Sequence, residues 1–385
     1  MGIVRAVRLS IEWVIGSCRL LAQIREEFER TRPFEGLRIG TGIHLEPKTV
    51  ALLLTLASGG AEVVSTGNLN TTQQEALDHL AAHGVRPVGS PTSDPVEHDA
   101  YLREVLASKP DLLLDNGGDL FVRWLEAPHA ALIGGTEETT SGRMRLEPLR
   151  DRIGLPVLVI NDSPIKQFAE NTHAVGQGTV ESFLRITNRS TNGKRVTVFG
   201  YGAVGRGVAA HFRNAFAEVS VVEVDPVTRL EALLDGFAVP EKAEGLAGAD
   251  IVITATGARG VLGAEDLPAL ADGAILLNVG HFPHEIDVPA LRAAAQAEEQ
   301  VADGIATFTL DGGRRVHLLT GGHMVNLAGP RPLGNSIESM DLGFALQARC
   351  LEAVARGTVD ASQCVVPVPA AIDAAVASAY VELAA

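Results

Sequence analysis

A glycine-rich turn between an apolar strand and a helix is the strongest chemical signal in this sequence. The segment Gly200-Tyr-Gly202-Ala-Val-Gly205 follows the apolar run Arg195–Phe199 and opens a helix that the pattern predicts over Val204–Phe216. The first glycine allows the tight bend, the second lets the backbone approach a pyrophosphate, and the third lets helix and strand pack closely. The helix N-terminus then offers N–H groups to the phosphates. The predicted dinucleotide site comprises Gly200, Gly202, Ala203, Val204 and Gly205.

Glu223 indicates which dinucleotide this turn would bind. It stands eighteen residues after the last glycine, near the end of a strand predicted over Val219–Val224. A carboxylate there accepts hydrogen bonds from the ribose hydroxyls and repels a 2′-phosphate, which favours NAD over NADP. Two later predicted strands end at the same sheet edge, and they add Thr256, Gly257, Val279 and Gly280 to the expected cofactor site.

The elements that must position these residues form two βα series. In the first 170 residues, helical patterns alternate with the apolar runs Ala61–Ser65, Leu112–Leu114 and Pro156–Ile160, and a second series contains runs at Asp250–Thr254 and Ala274–Val279. Because 385 residues exceed what one core usually supports, we predict an α/β fold of two doubly wound domains. Residues 1–171 form the predicted substrate-binding domain and 172–334 the Rossmann NAD-binding domain. Residues 335–385, with a helix to Ala355, return to the first.

Composition excludes several classes of function. The net charge is −15 and no block of Lys or Arg stands out, which argues against nucleic acid or a membrane surface as partner. The three cysteines lack the spacing of a disulfide framework or a zinc site, and no metal is expected. The run Ile11–Ala22 is interrupted by polar residues and predicts a packed helix rather than a signal peptide. We expect a cytoplasmic protein.

Further motifs, in order and spacing, resemble the S-adenosylhomocysteine hydrolase family over about residues 35–355. They are Gly42-Ile-His44, Asp115-Asn-Gly-Gly-Asp119, Glu137-Glu-Thr-Thr-Ser-Gly142, Asn161-Asp-Ser, Lys166, Glu170-Asn171, the glycine turn with Glu223-Val-Asp-Pro226, Asn278-Val-Gly-His-Phe282 with Glu285-Ile-Asp287, and Val325-Asn326-Leu. The resemblance implies an enzyme in which bound NAD⁺ oxidises the ribose 3′-hydroxyl, the 5′-substituent is eliminated, water adds, and the ketone is reduced again. It also suggests a homo-oligomer, a dimer or tetramer.

The resemblance assigns roles residue by residue. Lys166 and Glu170 would handle the 3′-hydroxyl proton, His44 would act at the 5′ end, and His281 would face the ribose beside the nicotinamide. Glu138 would hold the ribose diol. Residues implied to bind NAD are Thr139, Thr140, Ser141, Asn171 and Asn326, and those implied to bind substrate are Glu46, Lys48, Thr49, Glu138 and Asn335.

Several positions depart from the family pattern. Asn116 replaces a carboxylate that assists at the 5′ end, so that work would pass to His44 or to Glu46, which replaces a threonine; a solvent-facing Glu46 is the alternative. Lys48 replaces a glutamate that accepts from the adenine amino group, so a base with a carbonyl would suit it better. Asn335 stands where the family has a histidine that gates the substrate channel. The final 22 residues lack the family's Lys- and Tyr-bearing tail, and the pattern assigns them no role.

These departures leave more than one function open. An adenosylhomocysteinase-like NAD-dependent hydrolase or lyase is the first expectation. The alternatives are a specialised nucleoside dehydratase or lyase that releases another 5′-group, water included, and a non-catalytic NAD-binding regulator. A dehydrogenase of small hydroxy acids shares the two-domain plan, but the nucleoside-type motifs before residue 175 argue against it.

Overall fold

The structure, a computed structural model, describes residues 10–280 and 283–385. The helices are α1 Ile11–Ser17, α2 Arg19–Thr31, α3 Pro47–Ser58, α4 Gln74–Ala82, α5 Pro95–Ala107, α6 Asp119–Trp124, α7 Thr140–Leu146, α8 Arg150–Ile153, α9 Val175–Thr187, α10 Ala203–Asn214, α11 Pro226–Leu234, α12 Lys242–Leu246, α13 Val288–Ala294, α14 Ile337–Ala355 and α15 Ala370–Ala384. The strands are β1 Arg38–Ile43, β2 Glu62–Gly67, β3 Arg86–Val88, β4 Leu112–Asp115, β5 Gly134–Glu137, β6 Val157–Val159, β7 Arg195–Phe199, β8 Glu218–Val222, β9 Ile251–Thr254, β10 Ala274–Asn278, β11 Ala297–Ala302, β12 Ile305–Thr309, β13 Arg315–Leu319 and β14 Cys364–Pro367. A π-helix covers Lys166–Ala174.

The chain divides into two compact units, each with its own sheet. Unit 1 comprises Met1–Gln167 and Ile337–Ala385, and unit 2 comprises Phe168–Ser336. Both units are α/β with mostly parallel strands, so the predicted fold class is confirmed. The assignment of unit 1 to substrate binding stays a prediction.

The sheet of unit 1 has the strand order β14-β6-β5-β4-β1-β2-β3, and its pairings are parallel. After β1 the chain adds β2 and β3 on one side of β1, and it then crosses over to add β4 on the other side. The carboxyl ends of β1 and β4 therefore flank a topological switch point, where open α/β sheets form their ligand crevice. His44 directly follows β1, and Asn116 directly follows β4.

The sheet of unit 2 has the order β11-β12-β13-β10-β9-β7-β8, with antiparallel pairing only among β11, β12 and β13 in the described residues. Alternate residues of its central strands enter two different cores. Ile251 and Ile253 of β9 pack in one layer, whereas Val252 packs in the other. Because both faces are buried, these strands are continuous apolar runs. The switch point lies between β7 and β9, beside the glycine turn.

The N-terminal helix predicted over Ile11–Ala22 is wrong as a single element, because the chain forms α1 and α2 with a break at Cys18. The reason is a distant carboxylate. Asp341 on α14 accepts the backbone N–H groups of Leu20 and Leu21 at 2.7 and 2.9 Å, so it caps the start of α2 from across unit 1.

The C-terminal segment, which the sequence pattern left without a role, completes unit 1. Its β14 adds a parallel edge strand beside β6, and α15 follows and packs against α14. The predicted strands shift by only one or two residues, and β8 ends at Val222, just before Glu223. No helix in the described part of the chain is long and apolar enough to cross a membrane.

Candidate active site and cofactor site

Three of the predicted site residues in unit 1 form one hydrogen-bonded group. The Asn116 side-chain amide donates to Oε2 of Glu138 at 2.8 Å, and Nζ of Lys166 lies 3.4 Å from Oε1 of the same carboxylate. Glu138 and Lys166 are each 5% exposed, which excludes a surface lysine. A carboxylate held between an amide and an ammonium is oriented and charge-compensated, as a group that binds a diol must be.

Two further buried carboxyls, which the sequence analysis did not single out, hold the loops around this group. Glu137 accepts the N–H groups of Gly117, Gly118 and Thr139, and Asp115 accepts those of Leu120 and Phe121. Complete burial raises the pKa of both carboxyls above the ordinary carboxyl range. These bonds fix the backbone on either side of Asn116 and Glu138.

Gly142 is the sequence feature that could have indicated the buried position of Glu137. A Cβ at Gly142 would lie 2.1 Å from the Glu137 carboxylate, so only glycine fits over it. Thr139, predicted to bind NAD, donates its hydroxyl to Glu137 and caps α7 by accepting the N–H of Gly142. Ser141 lies 3.0 Å from the Thr139 hydroxyl, and Thr140 is exposed at the start of α7.

Glu46 and Lys48 form an ion pair at the start of α3. Nζ of Lys48 lies 2.8 Å from Oε2 of Glu46, and the two side chains are 6% and 12% exposed. The alternative of a solvent-facing Glu46 is therefore wrong, because the lysine draws the carboxylate inward. The neighbouring Thr49 is also buried, and its hydroxyl donates to the His44 carbonyl at 2.6 Å.

The glycine turn of unit 2 has the geometry that a pyrophosphate requires. Gly200 has φ +94°, and a Cβ at Gly205 would lie 2.0 Å from the Gly200 carbonyl oxygen. A Cβ at Gly202 would meet nothing within 4 Å, so the backbone is open on that side. Gly202 is also the N-cap of the 12-residue helix α10 and provides no side-chain cap. The first N–H groups of α10, from Ala203 and Val204 onward, suit an anion.

Unit 2 has one polar group suited to the adenosine ribose of NAD and another suited to its nicotinamide carboxamide. Glu223 follows β8, and its carboxylate accepts from the N–H groups of Tyr201, Val224 and Asp225 at 2.8, 2.6 and 3.0 Å. It is thus locked beside the turn, where a ribose would lie. Asn326 is 3% exposed, and its Oδ1 has no hydrogen-bond partner among the described residues. A buried acceptor of this kind suits a carboxamide N–H.

A third buried carboxylate, to which the sequence analysis assigned no role, shapes the loop after β9. Glu285, fully buried, accepts from Thr256 N and Oγ1 and from Gly257 N at 2.7 to 2.9 Å. A Cβ at Gly280 would lie 1.6 Å from its Oε1. Val279, next to Gly280, is buried after β10. Three of the four predicted cofactor residues here, Thr256, Gly257 and Gly280, thus lie against one structural carboxylate.

Three of the remaining predicted residues lie on the π-helix or near the end of unit 2. Glu170 and Asn171 lie on the π-helix, a form that is frequent at functional sites. Asn335, predicted to gate a channel, lies 3.3 Å from Oε1 of Glu170 and 3.3 Å from Nδ2 of Asn326. It therefore lies between Glu170, predicted to be catalytic, and Asn326, predicted to bind NAD. His281 lies outside the described residues.

Comparison with known proteins identifies the family to which the chain belongs. A model of S-adenosyl-L-homocysteine hydrolase matches residues 10–127, and a model of the NAD binding domain of that hydrolase matches residues 171–331. Adenosylhomocysteinase of Thermotoga maritima is 41% identical over 345 residues, which cover 88% of this chain and 85% of that protein. The chain belongs to the S-adenosyl-L-homocysteine hydrolase family. The resemblance read from the motifs is confirmed, as are an enzyme and NAD as its cofactor.

Relatives within this family carry two names. S-inosyl-L-homocysteine hydrolase of Methanopyrus kandleri is 38% identical over 379 residues, which cover 97% of this chain and 89% of that protein. Adenosylhomocysteinase of Archaeoglobus fulgidus is 37% identical over 379 residues, with 97% and 93% covered. Family membership therefore leaves the purine base to be argued from the residues themselves.

Proposed function

We propose that this enzyme hydrolyses an S-nucleosyl-L-homocysteine to a nucleoside and homocysteine, with the 3′-position oxidised and later reduced during each turnover. The observation that carries the proposal is the buried group Lys166, Glu138 and Asn116, which combines a diol-binding carboxylate with an ammonium in the same hydrogen-bonded set. The names of the relatives from Thermotoga maritima and Methanopyrus kandleri support it.

Bound NAD supplies a reversible acceptor for the hydride of the ribose C3′. Glu138 accepts hydrogen bonds from ribose hydroxyls, and Asn116 orients it by donating to Oε2. Lys166 Nζ takes and returns the 3′-hydroxyl proton, because it sits against the carboxylate that holds that hydroxyl. His44, at the carboxyl end of β1, acts at the 5′ end of the substrate, where the homocysteine sulfur departs.

For the base, we propose a purine with a carbonyl at position 6, such as the hypoxanthine of S-inosylhomocysteine. The neighbouring Lys48 and Glu46 form a donor and acceptor couple. A 6-oxopurine presents a carbonyl oxygen and an adjacent N–H, which match the ammonium and the carboxylate respectively. Adenine presents the reverse order of donor and acceptor, so it would need the two side chains exchanged.

The test is a comparison of kcat/KM for S-inosyl- and S-adenosylhomocysteine. A mismatched buried polar group costs about 1–3 kcal/mol, so the 6-oxo substrate should be preferred by about 5- to 150-fold. The variant Lys48→Met should lose most of that preference. Equal turnover of both substrates by the unaltered enzyme would refute the assignment of the base, and hydrolysis of neither would refute the proposed function.

A further inference from the structure

A threonine that the family resemblance did not single out contacts His44. It lies in the loop Asn68–Gln73 that follows β2, and its hydroxyl Oγ1 is 2.6 Å from Nδ1 of His44. This residue is Thr71. The same oxygen lies 3.2 Å from the backbone carbonyl of Asn68. One hydroxyl hydrogen thus has two possible acceptors, and its choice determines where the imidazole carries its own hydrogen.

Distances favour the imidazole as the acceptor. An N–H donor normally lies about 2.7–3.2 Å from the oxygen that accepts it. The 2.6 Å contact is shorter than that range, so the Thr71 hydroxyl donates to Nδ1 of His44 rather than accepting from it. The Asn68 carbonyl also accepts the N–H of Thr71 and the hydroxyl of Thr72, each at 3.2 Å, which match its two lone pairs.

The loop that carries Thr71 is anchored to the group already described. The Asn68 side chain donates to Oδ1 of Asn116 at 2.9 Å, and so links the end of β2 to the end of β4. Gly67 ends β2, and a Cβ there would lie 1.9 Å from the Thr72 hydroxyl. The loop therefore packs closely on the strand end, which fixes the position of the Thr71 hydroxyl.

We propose that Thr71 is a positioning residue that keeps the neutral His44 ring with its hydrogen on Nε2. An imidazole whose Nδ1 accepts a hydrogen bond carries its hydrogen on the other nitrogen. Given the proposed function, on which this inference rests, His44 then meets the 5′ end of the substrate as a hydrogen-bond donor. Its Nε2–H stabilises the negative charge that develops on the departing sulfur, and the neutral ring transfers no proton in that contact. Neutral imidazole serves as such an electrophile in other enzymes.

The test is nitrogen NMR of the full-length enzyme labelled with ¹⁵N-histidine, with NAD bound. The His44 signals among the 11 histidines are assigned by their loss in His44→Asn. In the unaltered enzyme, at a pH where the His44 ring is neutral, Nε2 should show the chemical shift of a protonated nitrogen. Nδ1 should show the chemical shift of an unprotonated nitrogen that accepts a hydrogen bond. A hydrogen on Nδ1 would overturn the proposal.

Three variants then separate positioning from mere packing. Thr71→Val should move the Nδ1 resonance of His44 towards that of a nitrogen without a hydrogen bond, and Thr71→Ser should restore it. Thr72→Val is the matched control, because Thr72 bonds the same carbonyl of Asn68. An unchanged Nδ1 resonance in Thr71→Val, or an equal change in Thr72→Val, would also overturn the proposal. If Thr71→Val does not fold, the spectra of the unaltered enzyme and of Thr71→Ser still decide.

Activity gives a second readout. Loss of one hydrogen bond should lower kcat about two- to tenfold in Thr71→Val, with KM nearly unchanged and with recovery in Thr71→Ser. If the enzyme hydrolyses no S-nucleosylhomocysteine while the NMR shows hydrogen on Nε2, the proposed function fails and the tautomer assignment stands. If it hydrolyses one while Nδ1 carries the hydrogen, only this inference fails.

Discussion

The stability contributed by the Glu46–Lys48 ion pair can be predicted quantitatively, because the pair is buried and its two charged groups are in contact. Changing Lys48 to Glu would remove the ammonium and place a second carboxylate near the first, where the present contact is 2.8 Å and the side chains are 6% and 12% exposed. Breaking a buried ion pair costs about 3–5 kcal/mol. Repulsion between like charges about 4 Å apart adds up to about 4 kcal/mol at an effective dielectric constant near 20, unless one carboxyl takes up a proton.

Thermal unfolding measures this cost directly. With roughly 2–4 °C per kcal/mol for a domain of 150–250 residues, the broken pair alone, at about 3–5 kcal/mol, lowers the Tm of Lys48→Glu by about 6–20 °C, and any repulsion between the carboxylates lowers it further. The matched control is Lys109→Glu, an exposed lysine of the same unit, which should change stability by less than about 0.5 kcal/mol.

The double variant Glu46→Thr/Lys48→Glu removes the repulsion and carries the residue types that the family pattern has at both positions. It should recover most of the lost stability, and its kcat/KM should shift towards S-adenosylhomocysteine. Equal Tm values for Lys48→Glu and Lys109→Glu would refute the claim that the buried pair stabilises the start of α3. A double variant no more stable than Lys48→Glu would refute the pairing itself.

Two further predictions concern the cofactor and pH. Glu223→Ala should weaken NAD binding, measured by calorimetry, by about 1.5–3 kcal/mol, with Glu223→Gln less affected; equal thermal stabilisation of the unaltered enzyme by NAD and NADP would contradict the role of this carboxylate. Burial raises the pKa of Asp341 to about 6, so between about pH 4 and 6 the folded chain keeps a proton that the unfolded chain releases. The free energy of unfolding contributed by this group therefore falls as pH rises through that window, and urea unfolding of Asp341→Asn should show a flatter pH dependence; identical slopes would contradict this.

The sequence predicted best where a local pattern has one structural solution. The glycine turn sits between β7 and α10 as expected, because a strand, three spaced glycines and a helix leave the backbone little choice. The apolar runs became strands for a similar reason, since both faces of a parallel sheet are buried. Their ends moved by a residue or two, as for β8, because the last hydrogen bond of a strand depends on its neighbour.

Features that depend on distant partners were not predictable. The break at Cys18 exists because Asp341, more than 300 positions away, caps α2. Glu137 and Glu285 stand in the family motifs, but their structural role was not predicted. They bind backbone N–H groups, which no spacing of side chains indicates, although Gly142 and Gly280 leave room for them. Lys48 and Glu46 were both recognised as departures, but their ion pair was not predicted, because it depends on how α3 begins.

Rapid mixing of the NAD-loaded enzyme with S-inosylhomocysteine tests most directly whether NAD is reduced and reoxidised within each turnover, as we propose. We expect the absorbance of reduced nicotinamide to rise and then decay, inosine and homocysteine to form, and NAD to be recovered in full. Lys166→Ala should slow the rise about a hundredfold or more, the usual size of an acid–base contribution. Lasting formation of one NADH per substrate consumed, or hydrolysis without any nicotinamide signal in a single turnover, would contradict a redox cycle of NAD.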